Sequence, residues 1–306
     1  MRVTQSMLSN NLLRNLNTNY SKMSKLQEQI ESGSVLTRPS DDPVAAVSGM
    51  GYRKDLDKIV QYQRNMGDAN SWLDTTDEAL GQVSEALIRV KELVVQAAND
   101  TNSTDERAAI ATEIDQLKEQ LRDVANTQVG DNYIFSGTQT DLPLYVAGEA
   151  TQNAALTTSG KTGTFKINVF DGVSLQINTN ASQLFSDVDN FMGELSTLLK
   201  SGATGSEIGD ALGADLTNGT TSIPGLEKIS SEALTMRSQV GAKQNRVELM
   251  QNRLDLQEIN VTKQLSENED TDFSKAITEL TTAESIHQAS LSVGAKIIQQ
   301  TLVDFM

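Results

Sequence analysis

Cysteine is absent from this 306-residue chain, so neither a disulfide framework nor thiolate chemistry is open to it. Aromatic residues make up only 4% and apolar residues 38%, with a single tryptophan, Trp72, and a single histidine, His287. That composition argues against one large compact core and suits thin helical bundles with small sheets. A metal centre or catalytic dyad built on His287 would need partners that the sequence does not point to, so a packed or interfacial histidine is expected. Basic residues are scarce too. The 25 Lys and Arg against 41 Asp and Glu give a net charge of −16, which repels phosphate backbones and argues against a nucleic-acid partner. No apolar run approaches the ~20 residues that span a bilayer, so no membrane partner is expected. Met1 to Asn19 has polar residues interspersed throughout and lacks the apolar centre of a cleaved signal peptide; export, if it occurs, needs another route.

What is present is periodicity. From Ile59 to Ala97 every third and fourth residue gives Ile59, Tyr62, Met66, Ala69, Leu73, Thr76, Leu80, Val83, Leu87, Val90, Val94 and Ala97, all uncharged. Charged residues such as Asp74, Asp77, Glu85, Arg89 and Glu92 fall between them, as in a long helix with one apolar seam. A second seam, Leu226, Ile229, Ala233, Met236, Val240, Val247, Met250, Leu254 and Val261, returns near the other end. The two are expected to pack antiparallel as a rod. All four prolines sit at boundaries: Pro39 and Pro43 bracket Ser40-Asp41-Asp42, a helix-start signal, and Pro224 restarts the helical pattern. The long helix breaks at Asn99-Asp100-Thr101-Asn102, and Ser103-Thr104-Asp105-Glu106 forms a capping box for a third helix.

The ends differ from the rod. Met1 to Ile30 has helical apolar spacing but few charges, and Ser285 to Val303 carries Lys296 alone. Their apolar side chains are too few to offset the backbone entropy of ordering some thirty residues each. Both ends are therefore expected to be mobile in the monomer and helical in an assembly of copies. The residues expected at that assembly interface are Val3, Leu8, Leu12, Leu16, Met23, Leu280, Leu291, Ile298, Leu302 and Phe305.

Between the helical parts, Asn132-Tyr133-Ile134-Phe135 reads as a short strand that Ser136-Gly137 turns into a hairpin. From about Thr138 charges thin and alternation replaces the heptad. Phe165, Ile167 and Val169 lead into Asp171-Gly172, and Val173, Leu175 and Ile177 leave it, a hairpin with a type I′ turn dipeptide. A short helix is expected over Val188 to Leu199. The fold class is thus mainly α: an elongated coiled-coil-like helical bundle with helical N- and C-terminal segments and a small inserted β-rich (α+β) domain. The expected domains are 1–42 with 271–306 as an assembly domain of terminal helices, 43–138 with 223–270 as the rod with a β-hairpin, and 139–222 as the insert.

Chemical motifs are missing. Ser159-Gly160-Lys161-Thr162 looks like the end of a phosphate loop, but Ala155 stands where that loop needs glycine, and a strand follows instead of a helix. The cluster Glu267, Glu269, Asp270 and Asp272 lacks the loop glycine and terminal glutamate of a calcium-binding hand. No catalytic, cofactor-binding or metal-binding residue is expected, and no cofactor.

Several stretches resemble the flagellin superfamily, in its hook-associated branch. They are Met1-Arg2-Val3-Thr4-Gln5-Ser6-Met7-Leu8, Arg38-Pro39-Ser40-Asp41-Asp42-Pro43-Val44, Trp72-Leu73-Asp74-Thr75-Thr76-Asp77 and Tyr133-Ile134-Phe135-Ser136-Gly137-Thr138, with Gly241-Ala242-Lys243-Gln244-Asn245-Arg246, Glu269-Asp270-Thr271-Asp272 and Gln288-Ala289-Ser290-Leu291 toward the C-terminus. The resemblance implies an extracellular structural protein of the bacterial flagellum, exported unfolded by the flagellar type III channel with an export chaperone on its C-terminal part. It implies self-assembly into a ring at the hook–filament junction, with hook-associated protein 1 and flagellin as neighbours and the terminal helices as the inner tube. His287 stands where an aromatic residue would be expected. Arg89, Glu92 and Leu93 are similar to a flagellin segment read by an animal innate receptor. The alternatives are a filament flagellin subunit and a secreted enzyme carried in 139–222; the Met1–Leu8 opening and the Val303-Asp304-Phe305-Met306 ending favour the junction adaptor.

Overall fold

The computed structural model describes residues 5–99, 101–146, 148–149, 151–218 and 221–303. In chain order the elements are α1 (Gln5–Ser32), α2 (Pro43–Ala97), α3 (Thr104–Ala125), β1 (Gln128–Val129), β2 (Asn132–Tyr133), α4 (Thr158–Thr162), β3 (Lys166–Phe170), β4 (Val173–Gln176), α5 (Ser182–Ser201), α6 (Gly205–Asp210), β5 (Leu216–Asn218), β6 (Thr221–Ile223), α7 (Leu226–Glu269) and α8 (Phe273–Val303). The strands form three two-stranded antiparallel ladders, and the rest of the ordered backbone is helical, as the mainly α class requires. Two compact units result: residues 1–59 with 256–306, and residues 60–255.

The larger unit is built on α2 and α7. Met66, Ala69, Leu73, Leu80, Val83, Leu87, Val90, Val94 and Ala97 of α2 are buried, as are Leu226, Ile229, Ala233, Val240, Val247 and Leu254 of α7. Thr76 survives inside the seam because its hydroxyl donates to the Trp72 carbonyl one turn back, at 2.7 Å. Polar pairs flank the apolar row and fix its direction. Asp77 accepts from Arg237 at 2.9 Å, Asp74 from Gln244 at 2.8 Å and Asp255 from Gln63 at 3.0 Å, so rising numbers on one helix meet falling numbers on the other. The pairing is antiparallel.

Helix α2 starts where Asp42 Oδ1 accepts from the backbone N–H groups of Val44 and Ala45, both at 3.0 Å, with Pro43 in the first turn. The Ser103/Glu106 capping box opens α3, as expected. Ile110, Ile114, Leu121 and Val124 of α3 are buried in the larger unit with Leu184, Phe185, Val188, Phe191, Leu195 and Leu199 of α5. A charged pair sits at the α3–α5 contact. Arg122 forks onto Asp189 at 2.7 and 3.2 Å, with Lys118 3.6 Å away on the same carboxylate. The Arg122 guanidinium also lies over the Tyr145 ring, 5.5 Å from its centre. Burial pushes the Tyr145 phenol above its ordinary pKa, and it stays a donor to the Phe185 carbonyl at 3.0 Å.

The β3–β4 hairpin pairs around Asp171-Gly172 as expected, with an irregularity between Asn168 and Phe170, but its turn is not the expected type I′, because Gly172 at φ +75° is the one of the two central residues with positive φ. Phe165 packs near Trp72, and Phe170 lies between the Tyr62 ring and the Arg253 guanidinium. Three further expectations need correction. Strand β2 stops at Tyr133 and pairs backward, Gln128 with Tyr133 and Val129 with Asn132, around Gly130 at φ +60°. Ile134 and Phe135 are buried instead, Phe135 meeting Phe185 edge-on at 4.9 Å, because their apolar surface is worth more in the core than in a strand. Gly137 makes no hairpin; at φ +71° it sends Thr138 to donate to the Gly160 carbonyl at 2.9 Å. The helix expected over Val188 to Leu199 is longer, Ser182–Ser201, ending on Gly202 at φ +78°.

A side chain at Gly137 would place its Cβ 2.1 Å from the Gly160 oxygen and 2.6 Å from that of Lys161, on top of a left-handed φ. Gly137→Ala should lower stability by at least ~1–2 kcal/mol from the backbone conformation alone, more with the clash, read in urea unfolding. Arg122→Met leaves Asp189 with Lys118 only and should cost about 1.5–3 kcal/mol. Adding Asp189→Leu should recover part of that loss, which a double-mutant cycle measures.

Candidate assembly interface

The smaller unit pairs α1 with α8, and the joint between their near ends explains how. Gly33 at φ +70° ends α1, Thr271 donates back to the Gly33 carbonyl at 3.0 Å, and Val35 donates to the Glu269 carbonyl at 2.8 Å. Ser34 and Asp270 form an antiparallel bridge between these bonds. Asp272 then opens α8 by accepting from the Lys275 N–H at 3.1 Å, and Arg53 pairs with Glu269. The acidic cluster is thus a helix-to-helix joint. Among the described residues no group of three or more His, Asp or Glu side chains could hold a metal.

From this joint the two helices run antiparallel. Asn19 donates to the Ala283 carbonyl at 2.9 Å, Lys22 meets Glu279 at 3.5 Å, and Gly294 sits where a Cβ would lie 3.1 Å from Leu12. Ala276, Ala283 and Gly294 give α8 a small-residue strip that lets α1 approach closely. The seam is thin: Leu26, Ala276 and Ala283 are the buried apolar side chains described in these two helices. Leu12, Leu16, Met23 and Leu280 are half-buried along it, and Leu291 is exposed. Leu8, Ile298 and Leu302 fall within the same two helices, while Val3 and Phe305 lie outside the described residues.

Reading by apolar spacing overlooked the flanks. Leu13, Tyr20, Ile286 and Val293 are exposed apolar side chains on α1 and α8, and the seven-residue step from Leu13 to Tyr20 was the available signal. His287 is half-buried beside Tyr20, ring centres 6.4 Å apart, and its Nδ1 is buried without a hydrogen-bond partner. Between Gln5 and Ser21 the only charge is Arg14, and between Ser285 and Ala295 there is none. Such helices suit burial against other protein far better than exposure to water.

Elsewhere the chemical motifs resolve as structure. Ser159-Gly160-Lys161-Thr162 forms the five-residue helix α4, with Gly160 buried and Lys161 donating to Gln152 at 2.9 Å. Of the trio Arg89, Glu92 and Leu93, Leu93 is buried, whereas Arg89 reaches both Glu92 and Glu113 at 2.9 Å. No described helix is long and apolar enough to cross a membrane.

Long paired helices with weakly charged helical ends fit a helical structural protein. Comparison with known proteins makes the class definite. The description "Bacterial flagellin N-terminal helical region" matches residues 3–140, and "Bacterial flagellin C-terminal helical region" matches residues 225–306. The chain belongs to the flagellin superfamily. Within it, the chain is 26% identical to flagellar hook-associated protein 3 of Escherichia coli (strain K12), over 95% of each chain. It is 27% identical to a flagellin of Halalkalibacterium halodurans, over 98% of this chain and 97% of that one. The crystal structure of Bacillus cereus FlgL shares the fold, with a TM-score of 0.55 at 22% identity, covering 71% of this chain and 99% of that chain.

With so little buried in the α1–α8 seam, amides of Gln5–Ser32 should exchange hydrogen much faster than those of residues 60–97 in the isolated chain. They should slow on assembly. Equal protection of both segments in the monomer would contradict the expected ordering by contact.

Proposed function

We propose that this flagellar structural protein is an adaptor at the hook–filament junction, self-assembling through its terminal helices into a ring between hook-associated protein 1 and flagellin. The observation that carries this reading is the α1–α8 pair. It is helical, carries Arg14 as its one charge over residues 5–21 and none over residues 285–295, and leaves Met7, Leu13, Tyr20, Ile286, Leu291 and Val293 exposed. Solvent-facing helices normally carry charge there, so these rows need a protein partner. The full-length likeness to a hook-associated protein 3 supports the junction over the filament, although a flagellin relative is covered to a similar extent.

In this reading residues 1–42 and 271–306 are the assembly domain, 43–138 with 223–270 the rod, and 139–222 an outer domain. Val3, Leu8, Leu12, Leu16, Met23, Leu280, Leu291, Ile298, Leu302 and Phe305 act together, the half-buried ones holding α1 to α8 and the exposed ones meeting neighbours. Export proceeds unfolded through the type III channel, with a chaperone shielding the C-terminal part. The thin α1–α8 seam suits such a route, since it unfolds at little cost.

Deleting the gene distinguishes the candidates. Loss of a junction adaptor should release flagellin subunits into the medium, because the filament has no base to grow from. Loss of a major flagellin would instead remove the filament material itself, and that outcome would overturn the junction reading.

A further inference from the structure

The α1–α8 pair has two unlike flanks. Successive residues of an α-helix turn by about 100°. Counting from Leu12, which faces α8, Asn11 and Asn15 fall to one side at roughly −100° and −60°, and Leu13 and Tyr20 to the other at roughly +100° and +80°. On α8, counting from Ala283, Ile286, Ser290 and Val293 fall at roughly −60°, −20° and −80°, and His287 and Leu291 at roughly +40° and +80°. In an antiparallel pair equal signs share a flank, and the Tyr20–His287 ring contact fits that assignment.

The two flanks differ in shape. On one, Asn11, Leu12, Asn15, Ile286, Ser290 and Val293 line an open groove of about 450 Å³. On the other, Leu13, Tyr20 and Leu291 stand out as a ridge, 55%, 65% and 50% exposed. Over this length the groove flank carries no carboxylate and the ridge flank only Glu284, at its Tyr20 end, whereas the whole chain has a net charge of −16. Two copies repel one another over most of their surface and least along this strip.

Resting on the self-assembly reading above, we propose that the ridge of one copy seats in the groove of the next. Ridge against ridge would leave the groove hollow, and groove against groove would leave the ridges in water. Ridge into groove fills the one and buries the other. Because each copy offers one ridge and one groove on opposite flanks, the contact is heterologous and its repetition closes a ring or continues as a helix. A two-fold dimer through either flank is not the product.

The absence of native cysteine makes the test direct. A Leu13→Cys/Ser290→Cys chain is produced in place of the wild-type protein, and isolated flagella are treated with a short bis-maleimide. The expected result is a ladder of covalent oligomers beyond the dimer from the double variant, and no cross-linked product from either single variant. A Tyr20→Cys/Ile286→Cys chain repeats the test should the first pair disturb folding, with retained swimming as the check on both. Dimers from Leu13→Cys alone, or no ladder from either double variant in swimming cells, would overturn ridge-into-groove packing while leaving the junction role intact. Absence of the wild-type chain from the flagella would overturn both.

Discussion

Everything in the larger unit depends on one apolar seam between two antiparallel helices. Met66, Leu73, Leu80, Leu87 and Val94 recur every seventh residue along α2 and are wholly or almost wholly buried, and Val240, Val247 and Leu254 do the same on α7. Burying these rows is the driving force, and the flanking pairs Asp77–Arg237, Asp74–Gln244 and Gln63–Asp255 contribute direction and register more than energy. Once this pair forms, the β3–β4 hairpin has a surface to lean on, through Trp72, Tyr62 and Arg253. A chain poor in aromatics thus places several of its few rings where a small hairpin meets a helix pair.

The same device appears at the ends in weakened form. Leu12, Leu16, Met23 and Leu26 on α1 follow the seam spacing, but their partners on α8 are Ala276, Ala283 and Gly294. Small residues bring the helices close and bury little area, so the pair is tight in geometry and poor in stabilisation. Apolar surface that a monomer would normally bury stays on its flanks. In the proposed role this arrangement is useful: ends with a thin seam would unfold at little cost and would gain stability beside their neighbours.

The features that looked like sites turn out to be connections. The lysine of the apparent phosphate loop bonds Gln152, and the acidic cluster caps α8 and pairs with Arg53. Asp189, a buried carboxylate, is engaged by Arg122 and Lys118 and joins two helices. These groups hold parts of the chain together.

The paired long helices, the Ser103/Glu106 capping box, the β3–β4 hairpin and the terminal helices were legible in the sequence, because each follows from a local rule of period, cap or turn dipeptide. The proposal of assembly starts from the same sequence pattern, helical ends with apolar spacing and little charge. Local rules failed at Ile134 and Phe135, which have strand propensity but go into the core, where Phe185 waits fifty residues away. They failed again at Gly137, whose left-handed turn serves a carbonyl on α4 and no partner strand. The two flanks of the α1–α8 pair were hidden for the same reason. Helical spacing tells which residues of one helix share a face, but a groove or ridge exists only once a second helix is set beside it in a particular direction and register. Those are tertiary quantities, decided here by the joint at Gly33 and Thr271.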